Sequence, residues 1–282
     1  MNDYFHNEAL DSFYQLAQLP IVNQWKEWRT LGHTHYKSIQ EAGFRCYSQF
    51  EEDGIILYLM TMLGIENGIC VEICCGDGRE CMSTNLILNH GFQGFLFDGS
   101  RENVNYARTF FHLKKDNMAM TPVIRKAWIT AENVNNHILA AGSPTEIDFL
   151  SLDVDGMDYW IWEAINCISP KICCFETHDW IPSQLSLTVP YQSNFDMNKS
   201  IEPGFRSVSL KAMQILSKKK GYTLLGAHRH GFNVFFIRND LILPFHNEVS
   251  PEEIHNNPGT IRNQRTHWPL LKHLPWHFIE DV

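Results

Sequence analysis

The sequence predicts an α/β fold built on a mostly parallel sheet flanked by helices, and three observations carry this. Residues 68–74 form a short apolar run that enters Gly76-Asp77-Gly78 and is followed by the mainly apolar stretch 83–88: a strand, a glycine turn and a helix. Residues 94–98 form a second apolar run ending in Asp98, about 20 residues past the glycines, where the second strand of a nucleotide-binding βαβ unit carries its acid. Further strand-like runs at 122–129, 147–152 and 171–175 alternate with helix-like stretches, as in a doubly wound sheet.

At 282 residues and 44% hydrophobic, the chain can bury a full core, and one enlarged domain with additions at both ends is expected. A formal net charge of −9 argues against phosphate-backbone binding, so nucleic acid is not an expected partner. Residues 1–19 mix Asp, His, Asn and Gln with apolar side chains, and no stretch reaches the length of a membrane span. A cytoplasmic chain without membrane insertion is expected. The 8 cysteines fall largely in strand-like runs (Cys70, Cys74, Cys75, Cys173, Cys174), where adjacent residues point to opposite faces, so they are read as reduced, buried small hydrophobes.

Residues 1–45 are helix-like, with Trp25, Trp28 and Tyr36 near helical spacing, and form an N-terminal helical addition. A helix opens at Ser48, read as its N-cap, with acids in the first turn. Gln49 and Asp53, four apart on that helix, share a face and could reach the charged methionine end of a cofactor. In the glycine turn, the spacing Glu72-x-Cys74-x-Gly76-x-Gly78 is close to the loop of S-adenosylmethionine (SAM) enzymes. The third glycine of the dinucleotide pattern is missing, since 79 is Arg and 81 is Cys. Asp98, followed by Gly99 and Ser100, is the expected ribose ligand, and residues 101–115 the next helix. Ala127 and Trp128, closing the third strand, are candidates for contact with an adenine ring. Residues 130–133 resemble a helix start, and that helix ends near 142–144.

Residues 147–159 run from an apolar strand into Asp153, Asp155 and Asp158 around Gly156; acids this close are unfavourable unless something cationic sits among them. A helix over 160–168 and a strand over 171–175 follow, ending in Glu176-Thr177-His178. Neighbouring strand ends would bring Asp153 or Asp155 near Glu176 and His178, an oxygen-rich set with one imidazole that suits Mg or Mn. Residues 180–206 have little regular pattern and are read as a substrate lid. A helix over 207–220 stops at Gly221, and 222–226 and 233–237 form an antiparallel pair. The cofactor-binding domain is thus expected over 46–243. The tail over 244–282, rich in His, Pro, Trp and Asn, is expected to cover the body as an irregular segment, with homodimer contact as its alternative use.

Four motifs together resemble the FkbM-type branch of class I SAM-dependent methyltransferases over about residues 46–240: Ser48-Gln49-x-x-Glu52-Asp53-Gly54, Val71-Glu72-x-x-x-Gly76-Asp77-Gly78, residues 148–159, and Lys220-Gly221-Tyr222 through Asn233-x-Phe235-Phe236. The resemblance implies a Rossmann-like sheet of seven strands with a reversed last strand, SAM as cofactor, and O-methylation of a hydroxyl, often on a sugar or natural product in surface-polysaccharide or antibiotic pathways. It also implies that Glu72, Gly76, Asp77 and Gly78 line the methionine side, that Asp98 holds the ribose, and that Asp153 closes the site. Cys74 stands where the common loop has glycine, and Glu176-Thr177-His178 lacks the adjacent Glu-Asp pair of some metal-using relatives. His178 and Asp155 are read as the catalytic pair, with His178 as base, and Asp153, Asp155, Glu176 and His178 as the metal ligands. The expected acceptor is a sugar, a nucleotide-linked sugar or another small polar molecule. The rival readings are a SAM-binding partner subunit without chemistry and a nicotinamide oxidoreductase.

Overall fold

The computed structural model describes residues 7–114, 120–243 and 246–280; the expected helix end at Lys115 and the first two residues of the tail lie outside them. The strands are β1 Ile69–Ile73, β2 Gln93–Asp98, β3 Val123–Lys126, β4 Glu146–Leu152, β5 Ser169–Glu176, β6 Leu187–Thr188, β7 Tyr222–Ala227, β8 Asn233–Arg238 and β9 His277–Phe278. Seven of them form one sheet in the order β3-β2-β1-β4-β5-β8-β7, while β6 and β9 pair separately. β1 to β3 are parallel, and β8, the last strand of the large sheet, runs antiparallel to both β5 and β7. This is the expected seven-stranded sheet, reversed strand included.

The chain forms two compact units. The first takes its described residues from Met1–Trp128 and Glu146–Ser151, the second from Ile129–Thr145 and Leu152–Val282. Among the described residues, no helix is long and apolar enough to cross a membrane.

In the first unit, helices α1 Asn7–Leu31, α2 Glu52–Met62, α3 Thr84–His90 and α4 Arg101–His112 accompany β1 to β3. α1 is fixed by aromatic packing, because Trp25 is fully buried and stacks on Phe44 while meeting Tyr36 and Tyr58 edge-on. The Gln18 amide joins it to Asn85 of α3 at 3.0 Å. α2 starts at Glu52 rather than at Ser48. The reason is Asp53: its Oδ2 accepts the backbone N–H groups of Cys46, Tyr47 and Ser48 at 2.7, 2.7 and 2.8 Å, which curls the chain around the carboxylate before the helix can begin. Ser48 still receives the Asp53 N–H through its hydroxyl, at 3.1 Å.

In the second unit, α5 Val134–Ala141, α6 Asp158–Ala164 and α7 Leu210–Lys219 accompany β5, β7 and β8, with α7 packed on β7. The tail departs from expectation, carrying two helices, α8 Pro251–His255 and α9 Pro258–Leu271, where an irregular cover was read. Their formation rests on local chemistry rather than apolar period. Ser250 and Glu253 make a reciprocal capping box with Pro251 in the first turn, and the Asn257 side chain accepts the Thr260 N–H at 2.9 Å with Pro258 behind it. Beyond α9, β9 pairs with β6 at the base of the expected lid.

His255 at the end of α8 is buried, and burial pushes its imidazole down to about 4 from the ordinary 6.5. Below pH 6.5 the unfolded chain takes up a proton there that the folded chain refuses until about pH 4, so the stability this group confers is complete above 6.5 and is lost as pH falls toward 4. His255→Gln removes this dependence. Between pH 8 and pH 5 the parent is expected to lose about 2 kcal/mol more stability than the variant in urea unfolding, and parallel pH profiles would refute the assignment.

Candidate active site

The ends of the three parallel strands in the first unit carry the turn after β1, Asp98 with Gly99 and Ser100 after β2, and Ala127 with Trp128 after β3. Glu72 closes the first turn. Its two carboxylate oxygens accept the backbone N–H groups of Met82 and Ser83 at 3.0 and 2.8 Å, tying β1 to the start of α3, and burial pushes its carboxyl up. Cys74 adopts a left-handed φ of 74° and is exposed, which corrects its reading as a buried strand residue. Its N–H and that of Cys75 both donate to Phe97 O, at 2.8 and 3.0 Å, so the chain leaves the strand at Cys74 and takes a turn that glycine ordinarily makes.

Gly78 (φ 79°) is glycine because a Cβ there would lie 2.9 Å from the Phe111 ring and 3.2 Å from Ala107 Cβ on α4. Gly76 (φ 56°) has nothing within 4 Å of where its Cβ would stand, so a ligand can lie against the main chain. The Gly76 N–H donates to Asp98 Oδ2 at 3.0 Å, and Asp98 Oδ1 accepts from the Ser100 N–H at 2.7 Å and from Asn103 at 3.2 Å. The glycine turn and the β2 acid are therefore already joined. Asp77 is turned back on its own loop, accepting the Arg79 N–H at 2.9 Å. Ala127 is buried and donates its N–H to Asp98 O at 2.9 Å. Trp128 is 54% exposed with its ring against Gly99, whose Cβ would come within 2.9 Å of it. An aromatic face thus flanks a carboxylate and an open glycine. Gln49 is exposed, while Asp53 is buried with Oδ1 unpartnered and its carboxyl pushed up to about 6 by burial, against the hydrogen bonds on Oδ2.

In the second unit, the turn after β4 is held by Asp158, a fully buried carboxylate that accepts the N–H groups of Val154 and Gly156 at 2.9 and 3.0 Å. Within it Asp155 takes a φ of 55°. Asp153, Asp155 and Glu176 converge, each offering an oxygen within 4.8 Å of the others; His178, read as a fourth ligand, does not join that group. The cation demanded by so many acids is internal. Arg206 Nη1 lies 2.6 Å from Asp155 Oδ1, an arginine in the lid stretch that the sequence reading did not single out. Asp153 is pushed up to about 6 by burial and then by Asp155, and Glu176 well above the carboxylate range by burial and then by Asp153. Two buried acids this close favour a shared proton, and the stronger upward push on Glu176 favours its protonated form. Glu176 Oε2 is buried without a partner, so the oxygen-rich set also fits a divalent cation of the Mg or Mn kind, given loss of that proton.

His178 is buried. Its ring donates to the Gly204 carbonyl, leaving Nε2 buried and without a partner, and burial, then Arg206 and His267, pushes it down to about 3. It is a neutral imidazole with an unspent lone pair. The lid stretch packs on the acid turn through Phe195, since a Cβ on Gly156 would fall 2.3 Å from that ring. A cavity of about 230 Å³ opens beside Phe195, lined also by Gln192, Asn194, Asp196, Lys199 and Phe205.

No protein-family model matches the chain, and no curated protein does. Among solved structures the chain is similar to the N-terminal domain of EvdMO1 crystallised in the presence of S-adenosylhomocysteine (SAH) and D-fucose, at 12% identity over 78% of this chain and 96% of that one, with a TM-score of 0.45. It is similar to an O-methyltransferase from Bacillus cereus in complex with SAH at 13% identity, covering 83% and 98%, with a TM-score of 0.43. A chain assigned as a sarcosine dimethylglycine methyltransferase from Galdieria sulphuraria shares 12% identity over 61% and 62%, with a TM-score of 0.41, so this chain spans less than two thirds of its length. Likeness of this degree carries no argument about chemistry.

Proposed function

We propose that the chain is a SAM-dependent O-methyltransferase of the FkbM type, acting on a hydroxyl of a sugar or nucleotide-linked sugar. The observation that carries the reading is the constellation at the ends of β1, β2 and β3: an open glycine at positive φ, its N–H joined to the Asp98 carboxylate, and the exposed Trp128 face beside it. Main chain for the methionine part, a carboxylate for two ribose hydroxyls and an aromatic plane for adenine are what an adenosyl sulfonium asks of a protein. Gln49 and Asp53 are proposed for its amino-acid end.

Methyl transfer breaks the C–S bond of the sulfonium and forms a C–O bond, and SAH leaves as a neutral thioether. The protein's remaining task is to align the hydroxyl and accept its proton. His178 Nε2 is suited to receive the hydroxyl hydrogen bond, and Asp153, with a carboxyl near 6, is ionised at neutral pH and able to hold the proton. Asp153, Asp155 and Glu176 would hold Mg or Mn, and such a cation would lower the pKa of the hydroxyl. The polar lining contributed by Gln192, Asn194, Asp196 and Lys199, with Phe195 and Phe205, supports a sugar-sized polar acceptor.

Calorimetric titration of EDTA-treated protein with SAM and SAH, repeated with Mg or Mn, tests the reading. Micromolar binding is expected, and a dependence on added metal would report the acid set as its site. No binding under either condition would leave the glycine turn purely structural and end the proposal. The Arg206–Asp155 pair favours a second reading, a SAM-binding subunit without chemistry, because it meets the charge of the acids from within the chain. Transfer of isotopic methyl from SAM to any of a panel of sugars would exclude that reading.

A further inference from the structure

The geometry points to Trp180 and His267 as positioning residues that hold His178 with its Nε2 lone pair unspent, which makes helix α9 of the tail a working part of the acceptor side; the inference rests on the methyltransferase reading for its purpose.

Three rings form a continuous stack. His178 lies on Trp180 with centroids 4.4 Å apart and planes 28° apart, and Trp180 lies on His267 of α9 at 4.4 Å and 24°. The stack closes one face of the imidazole while Gly204 takes its N–H from the edge, so two directions of ring movement are blocked at once. Gly204 has a double part in this. Its carbonyl receives His178, and its missing side chain makes room for the indole, because a Cβ there would stand 2.6 Å from the Trp180 ring and 2.8 Å from Leu271 of α9.

α9 grips the same loop on both sides of the indole. Asn263 donates to Asp179 Oδ2 at 2.8 Å, and Gln264 donates to the Ile181 carbonyl at 3.3 Å. The helix therefore fixes residues 179 to 181 through side chain, ring and main chain in turn. A buried imidazole with an unmet acceptor gains by rotating toward any available donor, and the stack is what prevents it. Ordinary core packing would place these rings too, but it would not require that the exposed end of the stack, on a half-buried histidine of the tail, control the state of the buried end.

The test is a long-range proton–nitrogen NMR spectrum of the histidine rings in the full-length, 15N-labelled protein, with His178 assigned by its absence in H178N. The parent is expected to show one tautomer for His178, Nδ1 protonated and Nε2 bare. H267A and W180L are expected to collapse this into the averaged pattern of a mobile ring, and W180F to retain the parent pattern. A parent-like His178 spectrum in H267A would overturn the proposal, and because His267 is half-buried that variant serves even if W180L does not fold. SAH binding is titrated on the same samples. Absence of binding in the parent would refute the methyltransferase reading without touching the ring test, so the two failures are distinguishable.

Discussion

Replacing Asp98 with alanine is expected to weaken SAH binding by about 10² to 10⁴-fold, corresponding to about 3 to 6 kcal/mol for two charge-assisted hydrogen bonds to ribose hydroxyls. The loss extends beyond the ligand. Asp98 Oδ2 receives the Gly76 N–H and Oδ1 that of Ser100, so the variant also releases the glycine turn from β2. Asp98→Asn keeps the shape and one acceptor, and should fall between parent and alanine. Calorimetry with SAH measures both. Binding of parental strength in the alanine variant would remove Asp98 from the cofactor site, and with it the observation on which the functional reading stands.

The second large effect is on stability. Gly54 in the first turn of α2 sits beneath the crossing segment 42–44, and a Cβ there would come within 2.3 Å of both the Ala42 carbonyl and the Phe44 nitrogen. These are backbone atoms and cannot swing aside, while Gly54 also donates its N–H to Phe44 O at 3.0 Å. Gly54→Ala is expected to cost at least about 3 kcal/mol, the upper range for overpacking. That corresponds to a melting temperature lower by about 6 to 12 °C in a domain of this size. Calorimetric melting checks it, and an unchanged transition would show that the 42–44 crossing yields freely. The Glu52-Asp53-Gly54 motif thus acquires a physical reading: Asp53 gathers the loop and Gly54 admits it.

The legible parts of the site were those whose chemistry is local in sequence. Gly76 and Asp98 sit at strand ends marked by apolar runs, and a hydrogen bond joins them. Arg206 was not legible, because it lies in an irregular stretch and meets Asp155 across 51 positions of chain. The same holds for Trp180 and His267, whose stack has no sequence period. The tail helices left a signal of another kind: Ser250-Pro251-Glu252-Glu253 and Asn257-Pro258 are helix-start chemistry, but a reading led by apolar period passes over a helix such as α9, whose buried residues are few. The two-residue strands β6 and β9 are too short for alternation to register. Cys74 misled because small size was weighed and backbone conformation was not.

That exposed thiol in the glycine turn has one more consequence. Burial pushes the thiols of Cys70, Cys75, Cys81 and Cys173 upward, those of Cys46 and Cys167 are raised as well, and Cys174 is buried, so these seven are shielded or poorly ionised at neutral pH. An alkylating reagent meeting the folded chain therefore finds Cys74 first, at the edge of the open glycine. The protein carries its own footprinting label on the surface where an adenosyl ligand would lie, and occupancy of that surface can be read as protection of a single sulfur, with no acceptor identified and no turnover required.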